Sequence, residues 1–263
     1  MMQQKIKKIP MLINSNYGVN TSQNGSSVRY HLSPSIDLNG KKAIFRILKA
    51  SIWWSIPNVS SELNNNTLYF TISATPYTIN FQKGLYDLTS LNSNMGQYFI
   101  NNSLSSDTIQ LTGDSSTNKI SVQINDANLV IDWDESKIRT LLGYDAGTSS
   151  PPGYVSGPVG TYYEAPNIAQ LNTINSLLIN TNFTTGFYYN SNHGSSVSAV
   201  VTPDVPIGSQ IVFEPQHPIE VDVFMNKLDE INIFITDENF NFIDTNQENF
   251  QILGEIIMTD EDN

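Results

Sequence analysis

Short runs of alternating apolar and polar residues recur along most of this chain, which is the pattern of half-buried β-strands. In the clearest run, Thr67–Ile72, every second residue is apolar, and Tyr77–Phe81 follows after a turn at Pro76 as a hairpin partner. The stretch Lys41–Trp54 is apolar on both faces, so we expect a strand covered from two sides. Shorter strands are predicted at 108–112, 119–124, 128–133, 172–180, 197–202, 209–213, 219–225, 231–236 and 249–258.

Helical periodicity is confined to two segments. Apolar residues recur every three or four positions over 88–99, directly after the N-capping residue Asp87. A brief second helix is predicted from Glu135 to Leu142, with Gly143 as its stop. Many short strands with only one or two short helices favour an all-β sandwich.

Two segments lack any apolar period. Residues 13–27 are almost all small and polar, and together with the basic residues before them they predict a flexible N-terminal arm over 1–27. Residues 143–166 are dense in Pro and Gly, which predicts a long insertion without regular structure. We therefore expect an ordered body over 28–258 and an acidic C-terminal tail over 259–263.

The composition limits the classes of protein that this chain can belong to. With 39% hydrophobic and 14% charged residues, its 263 residues have enough apolar surface to fold. The chain has no cysteine, which excludes disulfides, thiol catalysis and Cys-ligated zinc. No stretch approaches 18 consecutive apolar residues, and the first residues lack the apolar core of a signal peptide. We expect neither a membrane span nor export by a standard signal.

The net charge of −12 is unevenly distributed along the chain. Residues 1–49 hold eight basic residues and one acidic residue, whereas residues 140–263 hold one basic and sixteen acidic residues. One interpretation is two solvated faces of opposite sign. The alternative is a basic arm, carrying Lys5, Lys7 and Lys8, that contacts an acidic neighbour, either another copy of the chain or nucleic acid.

The residue types that usually carry catalysis are not arranged for it. The three histidines lack partners at metal-ligand spacing, and the chain has no nucleophile elbow, phosphate-binding loop or dinucleotide fingerprint. Asp132 and Asp134 could form a glycosidase pair, but roles at a strand end and as a helix cap explain them more simply. We predict no catalytic, cofactor-binding or metal-binding residue.

Residues 237–248 match part of a calcium-binding loop. The sixth position, where the sharp turn of such a loop needs Gly, is Phe242, and the flanking residues have strand patterns instead of helical ones. We interpret this segment as a turn between two strands.

Several segments form a familiar series in their order and spacing. They are Ile52–Ser60 leading into Asn64–Asn66, then Gly84–Leu88, then Leu141–Tyr144, and finally Ile231–Asp244 with Phe250–Ile257. This series resembles the penton (minor capsid) proteins of virophages and polinton-like viruses, in which the last pair is a closing hairpin. Phe240 and Phe242 depart from the resemblance, because a small residue is expected in that turn.

The resemblance implies a jelly-roll β-sandwich with long insertions that acts as a structural virion protein and not as an enzyme. It implies a homopentamer at the five-fold vertices of an icosahedral capsid, bordered by the major capsid protein and assembled in the host cytoplasm. In cyclic assemblies each copy offers one surface to a different surface of the next, so oppositely charged surfaces could set the register.

Two groups of residues are interface candidates under this hypothesis. Lys5, Lys7 and Lys8 would reach a neighbouring subunit or the genome. In the 143–166 insertion, Tyr154, Tyr162 and Tyr163 are candidates because Tyr supplies contact area at low entropy cost. An unstructured surface insertion remains the alternative for that segment.

Two other functions share parts of this pattern. A carbohydrate-binding or host-attachment module would also be a cysteine-free β-sandwich rich in Asn, Ser and Tyr. A glycosidase on a β scaffold would need two carboxylates across a cleft.

Overall fold

The structure, a computed structural model, describes residues 6–146, 154–155, 159–171, 174–186 and 196–260. Its first strands are β1 (Lys7–Asn14), β2 (Val19–Asn20), β3 (Ser27–Asp37), β4 (Lys41–Trp53), β5 (Thr67–Ile72) and β6 (Thr75–Asn80), followed by the helix α1 (Leu88–Asn101). The next are β7 (Ile109–Asp114), β8 (Lys119–Ile124), β9 (Leu129–Asp132), β10 (Tyr154–Val155), β11 (Thr161–Glu164) and β12 (Leu177–Thr181). The last are β13 (Val197–Val201), β14 (Gln210–Phe213), β15 (Glu220–Asp222), β16 (Lys227–Thr236) and β17 (Gln251–Asp260). Among the described residues, no helix combines the length and the apolar character needed to cross a bilayer.

Contacts divide the chain into two compact units. Unit 1 combines Met1–Ile56 with Ile174–Asn263, and unit 2 is the intervening Pro57–Thr173. The ordered body predicted over 28–258 includes unit 2 and most of unit 1, and its boundaries stay a prediction. Unit 2 is separate because the connection between β4 and β12 contains enough strands to enclose a hydrophobic core of its own.

Unit 1 consists of two antiparallel sheets. Sheet A has the strand order β1-β17-β4-β14, with β15 also paired to β4, and sheet B has the order β13-β12-β16-β3-β2. The first and last strands are neighbours, and the chain passes repeatedly from one sheet to the other. This winding confirms the expected all-β, jelly-roll fold.

The core of unit 1 contains aromatic side chains from both parts of its sequence. The rings of Phe45 on β4 and Phe183 after β12 meet edge to face, with centroids 5.1 Å apart. On β17, a β-bulge at Gly254 brings the backbone so close that an added Cβ would lie 2.5 Å from the Phe45 ring. Glycine is therefore required at this position by a close approach and not by a turn.

Strand β1 lies inside the segment predicted to be a flexible arm. It pairs with β17 over its whole length, from Lys7 opposite Met258 to Asn14 opposite Gln251. The structure differs from the expected arm because every second side chain here is apolar, and Met11 is buried at 8% exposure. Lys5 lies outside the described residues.

The predicted closing hairpin is wrong. Strand β16 pairs with β12 and β3 in sheet B, whereas β17 pairs with β1 and β4 in sheet A. The connection 237–250 therefore crosses between sheets, and Phe242 in it is 54% exposed and packs on Phe234 at 5.6 Å between ring centroids. Strand sequences alone do not specify which partner a strand finds when several of similar pattern are present.

Unit 2 contains two smaller sheets and α1. One sheet has the order β10-β9-β5-β6 and the other β11-β8-β7. The predicted hairpin is confirmed as β5 and β6, but its turn is Ser73–Ala74, where both residues have positive φ, and Pro76 lies in β6 opposite Thr71. The largest fully buried side chains of this unit are Trp133, Phe70, Phe81, Phe99, Leu68, Ile79, Leu91 and Met95.

The predicted helix over 88–99 is confirmed by α1, which buries Leu91, Met95 and Phe99. The second predicted helix is only a 3₁₀ turn at Lys137–Thr140. Gly143 ends this region with a φ of +85°, and an added Cβ would lie 2.4 Å from the carbonyl oxygen of Asn167. The bond from the Asn167 N–H to the Gly143 carbonyl, at 3.1 Å, keeps the two backbones in this close contact.

A buried amide joins the two ends of unit 2. Asn58 is fully buried, and its side-chain N–H groups donate to the carbonyl oxygens of Tyr86 and Leu171, each at 2.8 Å. Its side-chain oxygen accepts from the Tyr86 N–H at 2.8 Å. Asn58 lies near the start of unit 2 and Leu171 near its end. The Asn58 side chain therefore links the first and last residues of this unit.

The Pro/Gly-rich segment is more regular than its composition predicts. Within 143–166, β10 pairs with β9 and β11 pairs with β8. The residues 147–153 and 156–158 lie outside the described part of the chain. The structure differs from the prediction because the Thr161–Glu164 stretch itself has no Pro or Gly and can extend the sheet.

Candidate assembly surfaces

Of the two carboxylates considered as a catalytic pair, Asp132 holds a turn together. One side-chain oxygen of Asp132 accepts from the backbone N–H groups of Asp134 at 2.9 Å and Glu135 at 3.2 Å. Asp132 thus organises the end of β9, whereas the sequence predicted Asp134 as the capping residue. The arrangement is that of an Asx turn.

The segment resembling a calcium loop is also a turn with internal hydrogen bonds. The side chain of Asp237 accepts from the backbone N–H groups of Asn239 and Asn241, each at 2.8 Å. The neighbouring Glu238 accepts from the Asn175 side chain at 2.9 Å and from backbone N–H groups before β12. Burial raises the pKa of Glu238, but these hydrogen bonds outweigh it and leave that pKa below its ordinary value.

The histidines are dispersed in the part of the chain that the structure describes. His31 lies 3.5 Å from Glu230 with its side chain 72% exposed, His217 is exposed, and His193 falls outside the described residues. The described residues contain no group of three or more His, Asp or Glu side chains that could hold a metal ion.

The tyrosines predicted as interface residues have different environments. On β11, Tyr162 is 58% exposed, whereas Tyr163 packs against the core of unit 2. The carbonyl oxygen of Tyr163 accepts from the buried hydroxyl of Tyr144 at 2.5 Å, and burial raises the pKa of that hydroxyl. Tyr154 pairs through its backbone with Asp132, and its side chain lies outside the description. Of the three, Tyr162 therefore presents its ring to solvent in the described part of the chain.

Tyr144 itself belongs to the core. Its ring stacks on Trp133 with centroids 4.1 Å apart and an interplanar angle of 8°. This explains the Leu141–Tyr144 segment as a packing motif.

Strand β1 forms one edge of sheet A, opposite the edge formed by β14 and β15. Lys7 and Lys8 are exposed there, and Pro10 lacks a backbone N–H to donate. Lysine and proline on an edge strand discourage uncontrolled pairing with another chain. Any contact that β1 makes is therefore better suited to side chains than to an added strand.

The outer face of sheet A carries an apolar surface that the sequence analysis did not identify. Directly opposed residues share a face, so the pairing of Leu12 with Leu253 places both on this surface. Leu12 is 71% exposed, and Val212 and Trp53 toward the other edge are 51% and 38% exposed. The signal in the sequence was the presence of apolar residues on both faces of Lys41–Trp54, which predicted that both faces of this strand are covered. In the described protomer these side chains remain accessible.

An ion-pair network crosses the middle of the same face. The Arg46 guanidinium lies 2.5 Å from Glu255 and 3.2 Å from Glu220, on the strands to either side of β4. Glu255 is 8% exposed, so its charge depends on Arg46 for compensation. This network links β17, β4 and β15 across the sheet.

Neither a known protein family nor a curated protein sequence matches this chain. Among solved structures, the crystal structure of the mavirus penton protein is similar with a TM-score of 0.51 and 8% sequence identity, covering 97% of this chain and 99% of that chain. A chain of the Sputnik virophage structure from electron cryomicroscopy aligns with a TM-score of 0.40 and 14% identity, covering 97% and 98%. The first likeness shows that this chain has the fold of the mavirus penton protein.

Proposed function

We propose that this chain is a structural virion protein, the penton of an icosahedral capsid. The observation that carries the proposal is the fold shared with the mavirus penton protein over nearly the full length of both chains. A jelly roll alone would fit lectins as well as capsid proteins. Likeness over the whole chain, including the residues of unit 2, favours the capsid role over a carbohydrate-binding or attachment module.

The proposed assembly is a homopentamer at the five-fold vertices, bordered by the major capsid protein and formed in the host cytoplasm. Such a ring uses a different surface on each side of the protomer. The outer face of sheet A supplies exposed apolar side chains for one contact, and Tyr162 on β11 supplies an exposed aromatic side chain. The turn-forming roles of Asp132 and Asp237 support a structural function, because these carboxylates are already committed to backbone hydrogen bonds.

The mass of the native assembly tests this proposal. We expect purified full-length protein to give a species of about 147 kDa in native mass measurements, which is a pentamer of 29.3 kDa protomers. Co-expression with the major capsid protein of the same virus should give particles that contain both proteins. Protein that stays monomeric at all concentrations and is excluded from particles would contradict the proposal, and glycan binding by that monomer would favour the attachment module.

Two neighbouring tyrosines give a matched pair of variants for the interface. Tyr162→Ser should reduce the pentamer fraction without lowering the melting temperature, because its ring is exposed in the protomer. Tyr163→Ser should lower the melting temperature, because that ring packs on the core. An unchanged pentamer fraction in Tyr162→Ser would remove Tyr162 from the proposed interface.

A further inference from the structure

Half of the described Lys and Arg side chains of unit 1 are neutralised by a nearby carboxylate. The ion pairs are Arg29 with Glu230, Arg46 with Glu220 and Glu255, Lys49 with Glu214, and Lys227 with Asp229. Lys7, Lys8, Lys41 and Lys42 form no ion pair with any described residue. These four residues are called the lysine cluster below.

The fold brings the lysine cluster together from two separate segments. Strand β17 lies between β1 and β4, with Ile257 opposite both Lys8 and Ile44, and Thr259 opposite Lys42. The two lysine pairs therefore flank the same end of β17, about 10 Å apart, which is two strand spacings. Lys7, Lys8 and Lys42 are exposed, and Lys41 is half-buried.

The cluster covers both faces of that end of sheet A. Lys8 and Lys42 lie on the outer face, in register with Ile257 and Thr259. Lys7 and Lys41 line a groove of ≈ 640 Å³ between β1 and β3.

Three carboxylates lie near the cluster. Asp37 lines the same groove, and Asp260 is opposite Lys41 at the end of β17. Asp222 on β15 is opposite Ile44, two residues along β4 from Lys42. None forms an ion pair with a lysine of the cluster, so among the described residues four positive charges face three exposed negative ones. The local charge is positive on a protein whose net charge is −12.

We propose that the lysine cluster binds the phosphate backbone of a nucleic acid without regard to its sequence. Lysines are mobile point charges suited to phosphate oxygens, and unpaired ones lose no internal ion pair when they bind. The acidic remainder of the chain repels a polyanion. The position of the cluster therefore also determines which side of the protein faces the nucleic acid. The inference rests on the proposed function, since a capsid protein has one surface toward the packaged genome.

Salt-dependent binding of a short duplex DNA of mixed sequence, followed by fluorescence anisotropy, tests the inference. Four phosphate contacts predict a slope of about −3.6 in log K against log salt, or ~150-fold weaker binding between about 50 and 200 mM salt. The variant with Lys7, Lys8, Lys41 and Lys42 all changed to Gln should lose this binding. Because these side chains have no internal ion pairs, its melting temperature should stay near that of the original protein.

A matched pair of double variants separates local binding from net charge. Lys8→Gln with Lys42→Gln should reduce the salt slope by about 1.8. Lys49→Gln with Lys227→Gln removes the same charge from ion-paired lysines and should leave the slope unchanged. Equal losses in both double variants, or wild-type binding by the four-lysine variant, would overturn the proposal.

The outcome is independent of whether the protein is a penton. DNA binding is measured on free protein. Pentamers that do not bind DNA would therefore refute the proposal that the lysine cluster binds nucleic acid, and would leave the proposed penton function standing. Loss of self-association instead of DNA binding in the four-lysine variant would show that the cluster contacts an acidic surface of a second copy, and would also refute it.

Discussion

At the scale of single residues, buried polar side chains explain segments that looked like a family signature in the sequence. Asn58, from the Ile52–Ser60 segment, bonds to the backbone of Tyr86, which belongs to the Gly84–Leu88 segment. The Asn65 side chain in turn donates to the backbone carbonyl of Asn58 at 2.7 Å. Three of the segments that form the series therefore meet at Asn58, and their spacing reflects these contacts.

Replacing Asn58 should destabilise the protein strongly. Asn58→Ala removes the partner of two carbonyl groups and one N–H that are partly buried, so we expect a loss of about 2–4 kcal/mol in the free energy of unfolding. Urea unfolding measures this loss. The control is Asn128→Ala, because Asn128 is exposed and its side chain forms no hydrogen bond with a described residue; this variant should change stability by less than about 0.5 kcal/mol. Equal effects of the two substitutions would contradict the role assigned to Asn58.

At the scale of elements, α1 shows how local chemistry sets a boundary. Asp87 accepts from the Ser90 N–H at 2.7 Å, and the Ser90 hydroxyl in turn accepts from the Asp87 N–H at 2.9 Å, which forms a capping box. Hydrogen bonds from the Ser90 backbone and hydroxyl lower the pKa of Asp87. A lowered folded-state pKa means that the carboxylate stabilises the fold above the unfolded pKa, and that this contribution is lost as pH falls through the folded value.

The cap therefore gives a pH-dependent prediction. Asp87→Ala should cost about 1 kcal/mol near neutral pH, and this cost should shrink as the pH falls below about 4, where the carboxylate is protonated. Asp87→Asn keeps a capping oxygen without the titration, so its stability relative to Asp87→Ala should not change with pH. Chemical denaturation at neutral and acidic pH checks both variants. A cost of Asp87→Ala that is independent of pH would contradict the capping argument.

At the scale of the whole molecule, a jelly roll carries an insertion with its own core. Unit 2 buries aromatic and aliphatic side chains among its own sheets and helix, and Asn58 links its first residues to Leu171 near its end. The two ends of unit 2 are held together by residues of unit 2 itself. This unit therefore has the features of a domain that folds independently of unit 1.

Residues 57–173 expressed alone should fold cooperatively. Trp133 is the only Trp in this segment, and its stacking on Tyr144 makes its fluorescence a reporter of the core. We expect a single urea transition that the Asn58→Ala variant of the same segment shifts to lower urea. A broad, non-cooperative change, or a fluorescence spectrum of fully exposed Trp, would show that unit 2 depends on unit 1. The domain boundaries predicted from the sequence stay predictions until this is measured.

The sequence predicted local structure well where a local cause exists. The alternation in Thr67–Ile72 placed β5, and the cap at Asp87 placed the start of α1. The sequence-based prediction was wrong where contacts between residues far apart in the chain determine the structure. The basic residues Lys7 and Lys8 at the start of the chain obscured the pairing of β1 with β17. The Pro/Gly content of 143–166 obscured β11, because pairing with an existing strand stabilises a segment whose own propensity is weak.

The sequence by itself determined that this is an all-β chain with one substantial helix, because side-chain periodicity and capping act between neighbours along the chain. Only the tertiary structure decided that β16 and β17 belong to different sheets, that Tyr163 is packed while Tyr162 is exposed, and that Lys7 and Lys8 flank the same end of β17 as Lys41 and Lys42. Each of these depends on contacts between residues far apart in sequence, and many pairings of similar strands satisfy the same local pattern.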